Sequence, residues 1–229
     1  MLDQIFSYHE MCDNENVQTL QRGMNFRLNP RYSVILMSRR SNAPYRDSIY
    51  EDGVTIEYEG HDEPKSTSIL NPKREDQPKS TRKGTLTQNG YFIESIEKYK
   101  SKAAEAELVK VYEKILAGVW SFKGFFDLID YKVQFDGYRN VYRFILRLSV
   151  ASEEMRDYNV DLKHTRLIPS DIKKEVWKRD KGRCVICGSI RNLHFDHDLP
   201  FSKGGTSLTA NNIRLLCATH NLAKSNKIE

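Results

Sequence analysis

The chain has 229 residues, 39% hydrophobic and 29% charged, an ordinary balance that excludes wholesale disorder and allows one large domain or two modest ones with a true core. No run nears the roughly 18 apolar residues of a membrane span, and "MLDQIFSYHEMCDNENVQTL" lacks a signal peptide's apolar core, so the expectation is a cytoplasmic protein without a membrane partner. The formal charge of +5 is uneven: from Asp161 onward there are 13 Lys plus Arg against 7 Asp plus Glu, while the first 160 residues carry 23 against 24, so the surplus that suits a polyanion is C-terminal.

Residues 1–150 mix strand and helix patterns. "YSVILMS" (Tyr32 to Ser38) and "VTIEY" (Val54 to Tyr58) are rich in β-branched residues and bounded by turn formers, which predicts strands. Residues 62–90 are polar, with Pro64, Pro72, Pro78 and a basic run to Lys83, and read as a long surface loop. From Tyr91 to about Ala117 the apolar spacing and helix formers predict one helix, ended by Gly118. "FFDLIDYKVQF" and "VYRFILRL" alternate around "DGYRN", a hairpin with a longer loop. Strands dominate, so the expected class is α+β with a twisted sheet or β-barrel-type arrangement. Residues 151–170 are polar and read as a linker, after which Ser170 or Asp171 is expected to cap a helix over "IKKEVWKRD".

Three of the four cysteines fall in the remaining stretch, 171–229, leaving Cys12 as a plain thiol. In a reducing compartment such clustering argues for metal rather than disulfides. Cys184 and Cys187 form a CxxC, and 29 intervening residues later Cys217 and His220 form a CxxH. Two-residue spacings let both side chains of a turn reach one tetrahedral ion, and thiolate with imidazole suits zinc. Four protein ligands close the shell, so the expected ion is structural, a staple for a unit of this size.

Between the pairs stands "HFDHDLPFSKGG". Hydrolysis of a phosphodiester needs a base to activate water, a cation for the developing charge, and a scaffold for both. A strand, a loop, a second strand ("NIRLLC") and a short helix ("THNLAKSN") bring Asp196, His197 and Asn221 within reach of one another. Asp196 and Asn221 supply hard oxygens, which suit Mg²⁺ or another divalent cation. His197 titrates near operating pH, as a general base requires. His194, two residues before Asp196 on the same strand face, reads as a phosphate contact or a tolerated polar residue, and Lys224 as a solvated helix charge.

The joint pattern of CxxC, Asp-His, Pro, Gly-Gly, Asn, CxxH-Asn and Lys resembles the HNH endonucleases of the ββα-metal fold, over about residues 171–229. That resemblance implies His197 as general base, Asp196 and Asn221 as ligands of a catalytic Mg²⁺, and Asn212 as a residue that ties the hairpin loop and orients the histidine. It also implies 5′-phosphate and 3′-hydroxyl ends. Many members carry a cysteine where this chain has His220.

Over about residues 20–150, the Tyr-x-Asp and Gly-x₄-Tyr spacing, the Asp-Gln with a following Asn-Gly, and the last alternating strand are similar to SRA and PUA-like domains, which flip out a modified cytosine. A base taken out of the stack needs aromatic faces and a group to read its edge. The resemblance offers Tyr45 and Tyr58 as faces and Asp47 as acceptor from the cytosine amino group. The expected protein is thus a modification-dependent DNA endonuclease: a reader over 1–150, a linker over 151–170, and an HNH domain over 171–229. Its partner would be double-stranded DNA carrying 5-methyl- or 5-hydroxymethylcytosine, and one site per chain makes a homodimer the expected route to a double-strand break. The alternatives are an HNH endonuclease for unmodified DNA and a zinc-bearing DNA-binding module without cleavage.

Overall fold

In the computed structural model, residues 3–20, 23–149, 167–200 and 203–224 are described. Residues 151–166 of the expected linker lie outside them. The chain divides into two compact units, Met1–Gln18 with Tyr112–Gly124 and Val150–Glu229, and Thr19–Val111 with Phe125–Ser149. Residues 112–124 thus belong with the cysteine-rich stretch, a grouping that the order of elements in the sequence hides.

The elements begin with β1 (Ile5–Phe6) and α1 (Tyr8–Asn14), whose start is a capping box: Ser7 Oγ accepts from Glu10 N, and Ser7 N donates to Glu10 Oε2 at 2.7 Å. Then follow β2 (Met24–Asn29), β3 (Tyr32–Met37), β4 (Ser48–Ile49), β5 (Thr55–Glu59), α2 (Gln88–Lys100), β6 (Glu107–Leu116), β7 (Val119–Phe135) and β8 (Asn140–Leu148). Strand order in the sheet is β2-β3-β6-β7-β8-β5-β4, with β1 added against β7. The sheet-dominated α+β expectation is met; the described strand path is open, with β2 and β4 at its ends, and barrel closure is not part of it.

One expectation needs correction. The helix predicted from Tyr91 to Ala117 is two elements. It ends at Lys100, and after Lys102, which takes a left-handed φ of 60°, the chain turns and re-enters as β6. The run "ELVKVYEKIL" holds strong helix formers, yet Val109, Val111 and Ile115 are fully buried at every second or fourth position. A half-buried sheet position outweighs a propensity of tenths of a kcal/mol. Gly118, at φ 74°, turns β6 into β7 rather than ending a helix.

Of residues 62–90, expected to be a long surface loop, 62–87 form one, mostly exposed, and α2 begins at Gln88. Buried Gln77 donates to Gly60 O at 2.6 Å and accepts from Tyr142 N at 2.8 Å, while fully buried Asn89 bonds both backbone atoms of His61. Arg139, 2% exposed, reaches Pro72 O at 2.6 Å and Asp62 Oδ1 at 2.6 Å. Three buried polar side chains pin this segment to the sheet. In the same unit α2 lays Phe92 edge-on against Phe144 of β8, with ring centroids 5.6 Å apart.

The other unit is built on α3 (Ser170–Arg179), β9 (Leu193–His197), β10 (Ile213–Cys217) and α4 (Ala218–Lys224). Strands β9 and β10 pair antiparallel, with His197 opposite Ile213 and Leu193 opposite Cys217. Val176 of α3 packs with Phe195, Ile213 and Leu215. Arg179 Nη1 donates to Ala210 O at 2.7 Å and Nη2 to Ile213 O at 2.6 Å, clamping the end of α3 to the start of β10. On the far side, β1 pairs with β7 through Ile5–Ser121 and Phe6–Trp120, and Gln4 bridges to His194 of β9.

A buried ionic network joins these pieces. Lys123 meets Glu113 at 2.9 Å with side chains 2% and 1% exposed, and Lys173 of α3 meets Asp3 at 2.5 Å and Ser121 Oγ at 2.9 Å. Ser170 Oγ donates to Glu113, so the expected cap role of Ser170 is not taken up; Pro169 is the N-cap and no side chain caps the helix.

Candidate active site

Cys184, Cys187, Cys217 and His220 converge, with one ligand atom from each lying within 4.8 Å of all the others. The turn that begins it needs Gly188 at φ 72°, and Gly188 N donates to Cys184 O at 2.8 Å. Cys217 ends β10 and His220 sits in the first turn of α4. Tetrahedral zinc with ordinary bond lengths places two sulfurs about 3.8 Å apart and a sulfur and a nitrogen about 3.6 Å apart. Here Cys187 Sγ and Cys217 Sγ are 3.8 Å apart, and His220 Nδ1 lies 3.5 Å from Cys184 Sγ and 3.2 Å from Cys217 Sγ. The donor set and its spacing fit zinc. Burial works against the Cys184 thiolate, but backbone N–H groups of Cys187, Cys217 and Ile186 outweigh it and bring this thiol down to about 6, ready to ligate as thiolate.

The end of β9 carries the acidic and basic groups. Asp196 Oδ2 accepts from Lys224 Nζ at 2.6 Å, and the same ammonium donates to His197 O. Lys224 is 2% exposed, which overturns its reading as a solvated helix charge: it is a buried cation held by a carboxylate and a carbonyl. Asn221 precedes Lys224 by three residues on α4, so the two share a helix face. The sequence signal was there in the Asn-x-x-Lys spacing, but burial of a lysine near a chain's end is not legible without the fold.

His197 is 6% exposed, and its Nε2 lies 2.8 Å from Oγ of buried Ser207. Asn212 spans the loop between the strands: Oδ1 accepts from Leu199 N at 2.8 Å, and Nδ2 donates to Leu199 O at 3.2 Å and to Thr206 O at 2.9 Å. His194 lies buried on β9, opposite Leu216, and burial lowers its pKa, which favours the neutral ring; neither an exposed phosphate contact nor a charge is built there. Cys12 is a buried free thiol in α1.

In the other unit, Tyr45, Asp47 and Tyr58 share one electrostatic neighbourhood. The Tyr58 hydroxyl is pushed well above its usual pKa by burial and by the nearby Asp47 and Tyr45. Asp47 Oδ2 accepts from Ser38 N at 2.8 Å and Oδ1 from Glu59 N at 3.1 Å, and burial raises this carboxyl to about 7. Arg46 N donates to Glu59 Oε2 at 2.8 Å and Arg46 O accepts from Arg143 at 2.7 Å, which fixes the 45–47 segment beside β5. Tyr45 is half-buried, with Lys73 Nζ 4.0 Å from its ring centroid, and Tyr58 is 3% exposed. One aromatic face is therefore covered by an ammonium and the other ring by the core.

No protein-family model and no curated protein matches the chain. Among solved structures, the SUVH5 SRA domain in complex with hemi-methylated CG DNA is similar at 18% identity and a TM-score of 0.43, covering 63% of this chain and 85% of that one. SUVH6 of Arabidopsis thaliana, in complex with SAM, is similar at 18% identity and a TM-score of 0.41, over 65% of this chain and 25% of that one. The modification-dependent TagI restriction endonuclease is similar at 14% identity and a TM-score of 0.42, over 98% of this chain and 77% of that one. No helix among the described residues is long and apolar enough to cross a membrane.

Proposed function

We propose that the protein is a metal-dependent DNA endonuclease of the ββα-metal type, directed to its target by a unit that reads a modified cytosine. The observation that carries the cutting half is the gathering of Asp196, His197 and Lys224 at the end of β9, on a hairpin and helix that also present a zinc-competent Cys₃His set. Zinc on Cys184, Cys187, Cys217 and His220 fixes the hairpin and α4 and takes no part in the chemistry. His197 acts as general base toward the attacking water. Asp196 and Asn221, a carboxylate and an amide, are donors of the kind Mg²⁺ uses when it keeps most of its waters, and that ion supplies positive charge to the phosphate when bound. Lys224 sets the local balance of charge, since its ammonium already offsets Asp196. Asn212 ties the loop that carries the rest.

The reading half is assigned to residues 1–150 and rests on the sequence resemblance together with the clustering of Tyr45, Asp47 and Tyr58. A flipped base would displace Lys73 from the Tyr45 face, and access to Tyr58 requires the pocket to open. The cutting residues belong to 171–229, with 151–170 between the two, and two chains acting together would sever both strands.

The test is digestion of one plasmid, methylated and unmethylated, with Mg²⁺ by wild type and by His197→Ala. The reading expects cleavage of the methylated plasmid alone, lost in the variant while zinc content holds. Equal cleavage of both plasmids leaves an endonuclease of unmodified DNA. Binding without cleavage by wild type leaves a zinc-bearing DNA-binding module.

A further inference from the structure

Lys73 stands at the end of a chain of buried supports. It belongs to a short 3₁₀ turn, Pro72–Arg74, capped by Asn71 Oδ1, which accepts from Lys73 N at 3.2 Å. Buried Arg139 grips both ends of that turn, through Pro72 O at 2.6 Å and Glu75 O at 3.3 Å. The same guanidinium meets Asp62 Oδ1 at 2.6 Å, and Gln77 Nε2 donates to that oxygen at 3.2 Å. The other oxygen, Asp62 Oδ2, meets Lys73 Nζ at 2.9 Å. The ammonium also donates to Pro44 O at 2.6 Å and lies 4.0 Å from the centroid of the Tyr45 ring. Tyr45 is tied to the same carboxylate: burial and the Asp62 charge raise its hydroxyl's pKa, and a hydrogen bond with the Asp62 backbone opposes them.

We propose that Lys73 is a built-in latch of the reading pocket: its ammonium occupies the Tyr45 face in the free protein and gives way to the flipped base. This rests on the reading of residues 1–150 as a modified-cytosine reader with Tyr45 as a stacking face. A cation over a ring and a base stacked on that ring need the same face, so the two compete.

The latch is anchored and still able to open. Its turn is fixed by a buried arginine, but the lysine side chain is 43% exposed and swings on a flexible four-carbon stem. An exposed ion pair and an exposed cation–π contact each hold by a factor of about two to five. The open fraction is thus about a tenth, and the apparent strength of pocket binding falls by that fraction. The cost falls on every base alike. The latch therefore sets how often the pocket is entered, and the choice between modified and unmodified cytosine is left to the pocket itself.

Two measurements on the full-length protein without divalent metal test this. In the first, NMR follows the ε-methylene signals of Lys73, assigned by their loss in Lys73→Ala. In the free wild type they should lie upfield of an ordinary lysine's, moved by the Tyr45 ring current. They should return to the ordinary position when a duplex carrying one 5-methylcytosine is added to saturation. In the second, 2-aminopurine is placed beside the target cytosine, methylated or not, and its fluorescence at saturating protein gives the fraction flipped, whatever the overall affinity. Lys73→Ala should raise the ratio of flipped to stacked base on the unmethylated duplex about 3–10-fold over wild type. Unshifted ε signals in the free protein overturn the latch and leave any preference for the methylated duplex in place. A ratio unchanged or lowered in Lys73→Ala overturns it as well. Equal wild-type binding of both duplexes, with the ε signals still shifted in both complexes, overturns the reader and the latch with it.

Discussion

Replacing Asp47 by asparagine should remove a stability penalty that grows with pH. Burial raises this carboxyl from 3.8 to about 7, aided by the Glu59 charge and opposed by the Ser38 and Glu59 N–H groups and by Arg143. An acid raised in the folded state holds its proton more tightly there than in the unfolded chain, so ionising it costs stability. The cost is absent below about pH 4, increases as pH rises through the window, and is complete above about pH 7. At 1.36 kcal/mol per pH unit, the window corresponds to at most about 4 kcal/mol. Asparagine keeps one oxygen acceptor for the two N–H groups and gives up about 1 kcal/mol at every pH. The difference between wild type and Asp47→Asn should therefore shift by about 4 kcal/mol in the variant's favour between pH 4 and 8. Urea unfolding followed by far-UV circular dichroism is the assay, because Trp120 and Trp177 both lie in the other unit and their fluorescence reports on that one. Carboxyl ¹³C NMR gives the Asp47 midpoint directly. Parallel stability curves, or a midpoint below pH 5, would refute the reasoning.

Cys184→Ser or Cys217→Ser should unfold the Cys₃His unit, and metal analysis of wild type should find about one zinc per chain; zinc-free protein with an unchanged melting curve would contradict this. Glu113→Gln strips the carboxylate from buried Lys123 and Lys173 and should cost about 3–5 kcal/mol in denaturant unfolding, seen through tryptophan fluorescence. Tyr45→Ala should weaken binding to a duplex carrying 5-methylcytosine by about 1–3 kcal/mol, and an unmodified duplex by less, in titrations at fixed salt.

The cysteine and histidine spacing was legible in full, because a tight turn leaves two residues between ligands few places to go. Strands β3, β5 and β8 were legible from β-branched runs and turn formers. Strand β6 was not, since Glu, Lys and Leu favour a helix in isolation and only the neighbouring strands of the sheet make it extended. Asp196 and His197 stood out as a pair of reactive groups before a proline and two glycines. Ser207 and Lys224 did not, because a serine in a loop and a lysine near a helix end are ordinary until the fold buries them against His197 and Asp196. Asp47 illustrates the opposite limit: its residue type suggested a reader, and the fold adds that two backbone N–H groups already hold its carboxylate.

Asp3, Glu113 and Lys173 belong to three stretches of chain separated by about a hundred and by sixty residues, yet they serve one buried network. On the ribosome, Asp3, then Thr19–Val111 with its own elements, and then the β6–β7 hairpin are all made before Lys173. The Cys₃His set is completed only once His220 has followed Cys184, Cys187 and Cys217. A chain that stops short of Lys173 therefore lacks both the Cys₃His set and the cation that meets Asp3. Assembly of the Cys₃His set and of the buried network is thereby tied to synthesis of their last members, His220 and Lys173, a dependence written into the chain order.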